Sequence, residues 1–297
     1  MDISNFAQYK ETEILKHDAF AFNTYICTIP LDFDRVALHW HDDIEIICIK
    51  KGTAKVTLGL LPYVANAGSI LLALPGELHA IERYDEEVPL EYENIIFSPS
   101  ILESMDQDWC RRSFLGPLRR GKLHLPTVLT PGTELHAAAT PLIAAIDKAS
   151  EFRKEGYPLA IRGNLLLLFH ILYTCREEDR VKPTATEEES EKVKIAITYI
   201  RDHYNEPLQI LAVADATGYS VVHFSRFFKK ITGQTFSEYL MDYRLGAAAQ
   251  LLAKSDQSVS EIAQTIGFDN LSYFCRIFKH KYHSTPRQYR EANGGGG

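Results

Sequence analysis

The sequence predicts a multidomain protein with an N-terminal β-barrel followed by helices, and an all-α C-terminal domain built from two helix-turn-helix units. Three observations support this fold class. Short β-like runs fill about the first hundred residues, an apolar period of three to four residues begins after Thr133, and one pattern of glycine, arginine and aromatic residues occurs twice near the C-terminus. A chain of 297 residues with 45% hydrophobic residues is long enough for one to three domains, each with its own core.

The first predicted domain, residues 1–132, is an antiparallel sandwich or barrel. Turn residues separate its apolar runs at intervals of one strand plus one turn, which is typical of such folds. The runs are "ICTIPL", "RVALHW", "IEIICIKKG", "KVTLGL", "SILLALP" and "YENIIFS".

Two helices are predicted next, in residues 133–175. The first has apolar residues every three or four positions, which indicates an amphipathic helix. These residues are Leu135, Ala139, Leu142, Ile146 and Ala149. The second helix, about Leu159 to Cys175, is apolar nearly all round and must be covered on more than one side, by its own domain or by a partner subunit. We therefore expect this region to mediate dimerisation.

A charged stretch follows, "REEDRVKPTATEEES" at residues 176–190. It contains proline and has no regular apolar spacing, so it is predicted to be an inter-domain linker. Residues 191–293 form the C-terminal domain. The final glycines, residues 294–297, have no fold signal and are typical of an artificial tail, so they are assigned to no domain.

The C-terminal domain contains a repeat. Its two copies align at an offset of 49 residues up to the glycine and aromatic pair, and at 50 residues beyond it, so the second copy has one extra residue in its turn. The matched pairs are Ala214 and Ala263, Gly218 and Gly267, Tyr219 and Phe268, Phe224 and Phe274, Arg226 and Arg276, Phe228 and Phe278, Lys229 and Lys279, and Tyr239 and Tyr289.

Each copy has the layout of a helix-turn-helix. A short helix ends at a glycine, which can adopt the left-handed backbone that stops it, and a second helix begins after a polar turn. Flanking residues form predicted capping pairs. These are Ser258 with Glu261, Thr235 with Glu238, and Thr285 and Pro286 with Gln288. In the second helices an apolar set is expected to point inward, namely Phe224, Phe227, Phe228, Phe274, Ile277 and Phe278.

Arg226 and Arg276 fall between these apolar positions, on a different helix face. A helix fits the major groove of B-DNA, where an arginine can donate two parallel hydrogen bonds to guanine O6 and N7. Lysines one turn further on are placed to contact phosphates, which fix position but not sequence. The alternative is a six- or seven-helix bundle whose surface arginines are merely solvated. Because glycine, arginine, aromatic and lysine positions match between the two copies, the DNA-binding interpretation is favoured.

Charge and composition agree with this interpretation. The net charge of −7 is uneven: residues 190–293 carry 13 Lys/Arg against 10 Asp/Glu, and the remainder carries 19 against 29. A C-terminal domain with a positive net charge is compatible with binding to the phosphates of DNA. The sequence opens with no cationic apolar leader, its longest apolar run "LLLLFHILY" is too short for a bilayer, and its five cysteines form no CxxC pair. A reduced, cytoplasmic protein is expected.

The region from about Val193 to Arg290 resembles the AraC-type (AraC/XylS) family of bacterial transcription regulators. The resemblance is carried by "GYS…FSRFFKKITGQTFSEYLMDYRL", "AAQLL", "VSEIAQTIGFDN.SYFCRIFK" and "STPRQYR". It implies two helix-turn-helix units bridged by a long helix, about Phe236 to Ala253, with two recognition helices in successive major-groove segments.

Site residues are carried over from the family by position. The base-contacting residues would be Val222, Ser225, Arg226, Leu271, Ser272, Cys275 and Arg276. The phosphate-contacting residues would be Ser220, Lys229, Lys230 and Lys279. The sequence departs from the family pattern at His283, where glycine is common, and at Val221–Val222, which is more apolar than usual. In the first unit Arg226 would therefore carry most of the base reading.

The N-terminal domain contains a second candidate site in "HWHDDIEIICIKKG". His39, His41 and Glu45 have the same parity, so on a strand they would share one face, and His79 could join them. Imidazole and carboxylate together suit iron, manganese, nickel or zinc. The spacing resembles the cupin barrel, in which these four positions bind metal, but Phe33, Pro75–Gly76 and Arg83 depart from its wider pattern. Three interpretations remain open: the lining of an effector pocket, a structural hydrogen-bond network, and a metal site.

Together these features predict a cupin-like sensor barrel joined to an AraC-type DNA-binding domain, without a cofactor. The expected partners are double-stranded DNA, a small-molecule effector (a sugar or another polar metabolite), a second copy of the chain, and RNA polymerase, at which it would act as an activator or a repressor. The alternative is a cupin metalloenzyme, such as an isomerase or dioxygenase, or a metal sensor. Because no nucleophile–base pair or phosphate-binding glycine loop occurs, we do not expect an enzyme.

Overall fold

A computed structural model describes residues 20–103, 109–120, 123–176 and 187–293. The chain forms two compact units. Of the described residues, 20–30 and those between 40 and 176 lie in a β-rich unit, and 31–39 and 187–293 lie in a helical unit. The predicted fold class is therefore confirmed. Residues 177–186 of the predicted linker and the glycines 294–297 lie outside the described residues, and the helix that follows the linker already begins at Glu187.

The β-structure consists of two antiparallel sheets. Sheet A has the strand order β1-β8-β3-β6-β9, and sheet B has the order β2-β7-β4-β5. The strands are β1 (Phe22–Ile29), β2 (Val36–His39), β3 (Ile44–Lys51), β4 (Thr53–Leu58), β5 (Leu61–Asn66), β6 (Ile70–Ala73), β7 (His79–Arg83), β8 (Leu90–Phe97) and β9 (Val128–Leu129). Short helical segments span Pro99–Ile101, Arg111–Leu115 and Gly116–Arg119.

Strand β3 is the centre of sheet A, and residues Ile44 to Ile49 on it are buried. Since side chains alternate along a strand, its two faces serve different purposes. Ile44, Ile46 and Cys48 belong to the core that packs against helices, whereas Glu45 faces the other way. The continuous apolar run in the sequence thus reflects a strand that is covered on both sides.

Helices α1 (Glu134–Phe152) and α2 (Tyr157–Thr174) complete the core of the β-rich unit. Thr133 caps α1 by accepting a hydrogen bond from the His136 amide. One side of α2 is buried, including Leu165 and Leu168, and joins the core of sheet A. Among the described residues, the other side is exposed. It exposes three leucines: Leu159 is 76%, Leu166 42% and Leu167 53% exposed.

The helical unit follows the predicted layout. Its helices are α3 (Glu187–His203), α4 (Ile210–Thr217), α5 (Val221–Thr232), α6 (Phe236–Lys254), α7 (Val259–Thr265), α8 (Leu271–Tyr282) and α9 (Pro286–Asn293). In the part of the chain that the structure describes, no helix is long and apolar enough to cross a membrane.

The local signals of the repeat are confirmed. Gly218 (φ 71°) and Gly267 (φ 85°) have the left-handed backbone that ends the first helix of each unit. Thr235 with Glu238 and Ser258 with Glu261 form complete capping boxes at the starts of α6 and α7. At α9 the Gln288 side chain accepts hydrogen bonds from Thr285, and Pro286 occupies the first helical position. Two residues separate Gly218 from α5, and three separate Gly267 from α8.

Aromatic side chains lie at the centre of the core in both helix-turn-helix units. Phe224 and Phe228 of α5 are fully buried, and the ring of Phe228 meets Tyr239 of α6 edge-on at 5.3 Å. In the second unit Phe274 and Phe278 of α8 are fully buried against α6 and α7. Ile277, expected to point inward, is only partly buried. Helix α6 thus contributes to both cores and connects them.

Candidate nucleic-acid interface and sensor site

Helix α5 exposes the residues that were predicted to face DNA. Its buried phenylalanines hold one side of the helix in the core, so the opposite side, with Val222, Ser225 and Arg226, is exposed. The Ser225 hydroxyl donates to the Val221 carbonyl at 2.7 Å. Its oxygen therefore remains as an acceptor toward a ligand. Ser220 is the N-cap residue, and its side chain accepts a hydrogen bond from the His223 amide.

Helix α8 repeats the arrangement with one difference. Leu271, Ser272 and Arg276 are exposed, but Cys275 is partly buried, and burial raises the pKa of its thiol. Cys275 is therefore less available to a base than its helical position suggests. Tyr273, which the sequence pattern does not single out, is exposed, and the Arg276 guanidinium lies 5.4 Å from the centre of its ring. A cation held over an aromatic face in this way is restricted in orientation.

The predicted phosphate-contacting lysines lie in the last turns of α5 and α8. Lys229, Lys230 and Lys279 are all exposed. Lys230 Nζ also donates to Glu189 Oε1 of α3 at 3.0 Å. A phosphate that approaches Lys230 must compete with that carboxylate, whereas no such ion pair is found at Lys229 or Lys279 in the described structure.

Asp242 of α6 links the two helix-turn-helix units. Its carboxylate accepts from the Gln234 side chain at 2.6 Å and from Lys281 Nζ of α8 at 2.9 Å. Burial alone would raise the pKa of Asp242, but the charge of Lys281 and these hydrogen bonds lower it below its ordinary value. Since Gln234 follows α5 and Lys281 lies on α8, this network connects the end of α5 to α8 through α6.

The second candidate site lies in the two-sheet part of the chain. The structure brings together all four residues that were predicted to cluster: His39, His41, Glu45 and His79 are buried, and one ligand atom from each lies within 4.8 Å of the others. The expectation of one shared strand is wrong, because β2 ends at His39 and a bend precedes β3. The bend still allows the side chains to converge with His79 at the start of β7.

Glu45 is the centre of this cluster. Its Oε2 atom lies 3.1 Å from His41 Nε2 and 3.0 Å from His79 Nε2. Burial raises the pKa of Glu45, but the charge of His79 and the hydrogen bonds from both histidines outweigh it and hold the pKa well below its usual value. The carboxylate is therefore ionised at neutral pH, inside a site closed to bulk water.

A further charged group in the β-rich unit was not found from the sequence. Lys50 Nζ of β3 contacts Glu93 Oε2 of β8 at 2.5 Å and lies 3.9 Å from Asp147 Oδ2 of α1. Burial and the neighbouring charge of Glu93 raise the pKa of Asp147 to about 7. The three residues are far apart in sequence and carry no motif, so only the packing of α1 on the sheet reveals the group.

Two antiparallel sheets with a buried polar cluster, and a double helix-turn-helix unit with exposed arginines, define a ligand-binding transcription regulator. Family models agree in both parts: an AraC-like ligand binding domain matches residues 25–160, and a helix-turn-helix domain matches residues 213–292. The chain thus carries an AraC-like ligand-binding domain and an AraC-type helix-turn-helix domain, and its relatives are regulators of the AraC/XylS family.

Relatives are similar over most of their length. The uncharacterized HTH-type transcriptional regulator YdeC of Bacillus subtilis is 26% identical over 267 residues, 87% of each chain. The HTH-type transcriptional activator RhaS of Enterobacter sp. is 25% identical over 254 residues, which are 85% of this chain and 87% of RhaS. The crystal structure of ToxT from Vibrio cholerae covers 91% of this chain and 98% of its own, with 18% identity and a TM-score of 0.48.

Proposed function

We propose that the chain regulates transcription by inserting α5 and α8 into successive major-groove segments of an operator. One observation carries this proposal: Arg226 and Arg276 stand exposed at equivalent positions of two helices whose other sides are buried aromatic core. Because the neighbouring aromatics are buried, both arginines extend from the exposed face of their helices, from which a guanidinium can reach guanine with two hydrogen bonds.

The roles of the other residues follow from their environments. Val222, Ser225, Leu271 and Ser272 would contact base edges beside the arginines, the two apolar side chains suiting thymine methyl groups. Cys275 has a smaller role because it is partly buried. Lys229, Lys279 and Ser220 would contact phosphates. Lys230 would contact a phosphate only if its ion pair with Glu189 breaks.

The β-rich unit would bind a small polar effector, such as a sugar, close to its buried cluster of histidines and Glu45. The chain would act as a cytoplasmic homodimer through α2, would contact RNA polymerase as an activator, and would not be an enzyme. Effector binding would change how the two subunits are disposed, so that their DNA-binding units match or miss half-sites spaced by whole turns of about 34–36 Å. Such a shift requires different effector affinities for the two arrangements.

The test is a gel shift and footprint on the DNA beside the chain's own gene, with random-sequence DNA of equal length for comparison. We expect protection on one DNA face over adjacent major-groove segments. The affinity should fall steeply as salt rises from 50 to 200 mM, because neutralised phosphates release counterions. Equal affinity for both DNAs, or a response that does not depend on salt, would contradict the proposal.

A further inference from the structure

The first turns of α3 lie against the first helix-turn-helix unit. Among the described side chains of α3, Val193 is the first that is buried. The residues ahead of it are held by polar contacts instead. Lys192 Nζ donates to the main-chain carbonyl of Thr217 at the end of α4 at 2.6 Å, and Lys230 Nζ of α5 donates to Glu189 Oε1 at 3.0 Å. The start of α3 is therefore positioned beside α5 by side chains that carry charge.

Glu189 is the more fixed partner in its ion pair with Lys230. Its side chain is 29% exposed, whereas that of Lys230 is 69% exposed. The carboxylate therefore stays with α3, while the flexible lysine stem can turn its ammonium toward Glu189 or away from it. Burial and the charges of Glu188 and Glu189 raise the pKa of the Tyr219 hydroxyl, which lies in the turn before α5. The negative charge at the start of α3 thus acts on both Lys230 and Tyr219.

The second helix-turn-helix unit shows no counterpart to this contact within the described residues. The repeat places His280 at the position that Lys230 has in the first unit. His280 and the neighbouring Lys279 are both exposed, and neither forms an ion pair in the described part of the chain. The contact with an acidic helix start therefore distinguishes α5 from α8.

We propose that Glu189 competes with DNA for Lys230: its carboxylate occupies the ammonium group that a phosphate of DNA would otherwise bind. This inference rests on the proposed binding of α5 to DNA. A phosphate that binds Lys230 breaks the ion pair and leaves the Glu189 carboxylate facing a group of the same charge, which is unfavourable. Exposed ion pairs change an equilibrium by up to about fivefold. We therefore expect Glu189 to lower the affinity for DNA about two- to fivefold.

The competition has a consequence for recognition. Phosphates carry no sequence information, so the loss applies to every DNA that the chain meets. Attraction to the backbone then holds the first unit on DNA less firmly, and the base contacts of Arg226 have to supply more of its affinity. The acidic start of α3 would thus limit non-specific binding by α5.

The test measures the affinity of the full-length chain for random-sequence duplex DNA by fluorescence anisotropy at about 50 and 200 mM salt. Glu189→Gln removes the charge and keeps the shape. It should raise the affinity about two- to fivefold at the lower salt concentration and less at the higher one, because salt screens exposed charges. Glu191→Gln is the matched control, since it removes the same charge from an exposed position of the same helix and should leave the affinity nearly unchanged.

A double-mutant cycle separates competition from an effect on folding. In a Lys230→Ala chain, Glu189→Gln should no longer raise the affinity, because no ammonium group remains to be released. An effect that acts through the stability of α3 would persist without Lys230. The inference would be overturned if Glu189→Gln raised the affinity no more than Glu191→Gln, or raised it equally in the Lys230→Ala chain. A wild-type chain whose DNA binding did not depend on salt would instead contradict the proposed function itself.

Discussion

Arg276 and Lys279 lie one turn apart on α8, and their side chains should have different tasks. A guanidinium bound to a guanine edge reads sequence, whereas an ammonium beside a phosphate adds attraction to any DNA. Arg276→Ala should cost about 1–3 kcal/mol on the operator and relax its sequence preference, while Lys279→Ala should weaken operator and random DNA about equally. Competition gel shifts measure both, with Arg287→Ala, which removes an exposed arginine of α9, as the control. The same loss on both DNAs for Arg276→Ala would reverse the assignment.

Asp147 makes the stability of the β-rich unit depend on pH. Its pKa in the folded protein is about 7, above the ordinary value of 3.8. Between these values the folded protein keeps a proton that the unfolded chain has released, so the free energy of unfolding falls as the pH rises toward 7. Asp147→Asn cannot ionise. Relative to the wild type it should gain about 2 kcal/mol between pH 5 and pH 8.

Urea unfolding at several pH values measures this gain. Glu151→Gln removes an exposed carboxylate from the same helix and serves as the control. A difference between Asp147→Asn and the wild type that stays constant from pH 5 to pH 8 would mean that Asp147 ionises normally in the folded protein.

At the scale of elements, the network around Asp242 sets the geometry of DNA binding. The Lys281 side chain is 15% exposed and that of Asp242 27%, so their ion pair is largely shielded from water. Asp242→Asn leaves the shape but removes the charge, and should cost about 2 kcal/mol of stability. The substitution should also reduce how much a second major-groove segment increases the affinity for DNA. The reason is that α5 and α8 would no longer be connected through the Asp242 carboxylate.

This prediction is checked with two DNAs, one carrying both groove segments and one with the second segment randomised. The ratio of the two affinities should be smaller for Asp242→Asn than for the wild type. Asp256→Asn, an exposed aspartate after α6, is the matched control. An unchanged ratio would show that the α6 core alone orients the two recognition helices.

The elements themselves were predictable where the causes are local. A glycine that ends a helix, or a threonine three residues before a glutamate, acts within one turn, so Gly218, Gly267 and the capping boxes could be read directly. The Asp242–Lys281 pair spans 39 residues and the Lys50–Asp147 pair depends on how α1 packs, so no local pattern contains them. The histidine cluster lies between these cases. Parity suggested that His39, His41 and Glu45 converge, but the bend before β3 and the addition of His79 depend on strand order.

At the scale of the whole molecule, the exposed side of α2 should be the dimer interface. Fully burying one leucine contributes about 1.5–3 kcal/mol, so an interface that covers Leu159 and Leu167 on both subunits offsets part of the free-energy cost of association. In a closed two-fold dimer, both subunits contribute the same surface patch to the interface. The exposed face of α2 can serve as such a patch. Leu159→Lys combined with Leu167→Lys places four ammonium groups in that interface and should convert the dimer to monomers in sedimentation velocity.

The same double variant separates DNA recognition from assembly. It should bind a single half-site as the wild type does, because α5 and α8 are unchanged. It should lose the extra affinity that two half-sites give to a linked pair of binding units, since that affinity comes from effective concentration and not from new contacts. Val64→Lys, at an exposed apolar position of β5, is the control and should remain dimeric. A wild-type chain that sediments as a monomer, or a double variant that still dimerises, would contradict the assignment of α2 as the dimer interface. The exposed face of α2 would then bind another partner, and this interface could not set the spacing between half-sites.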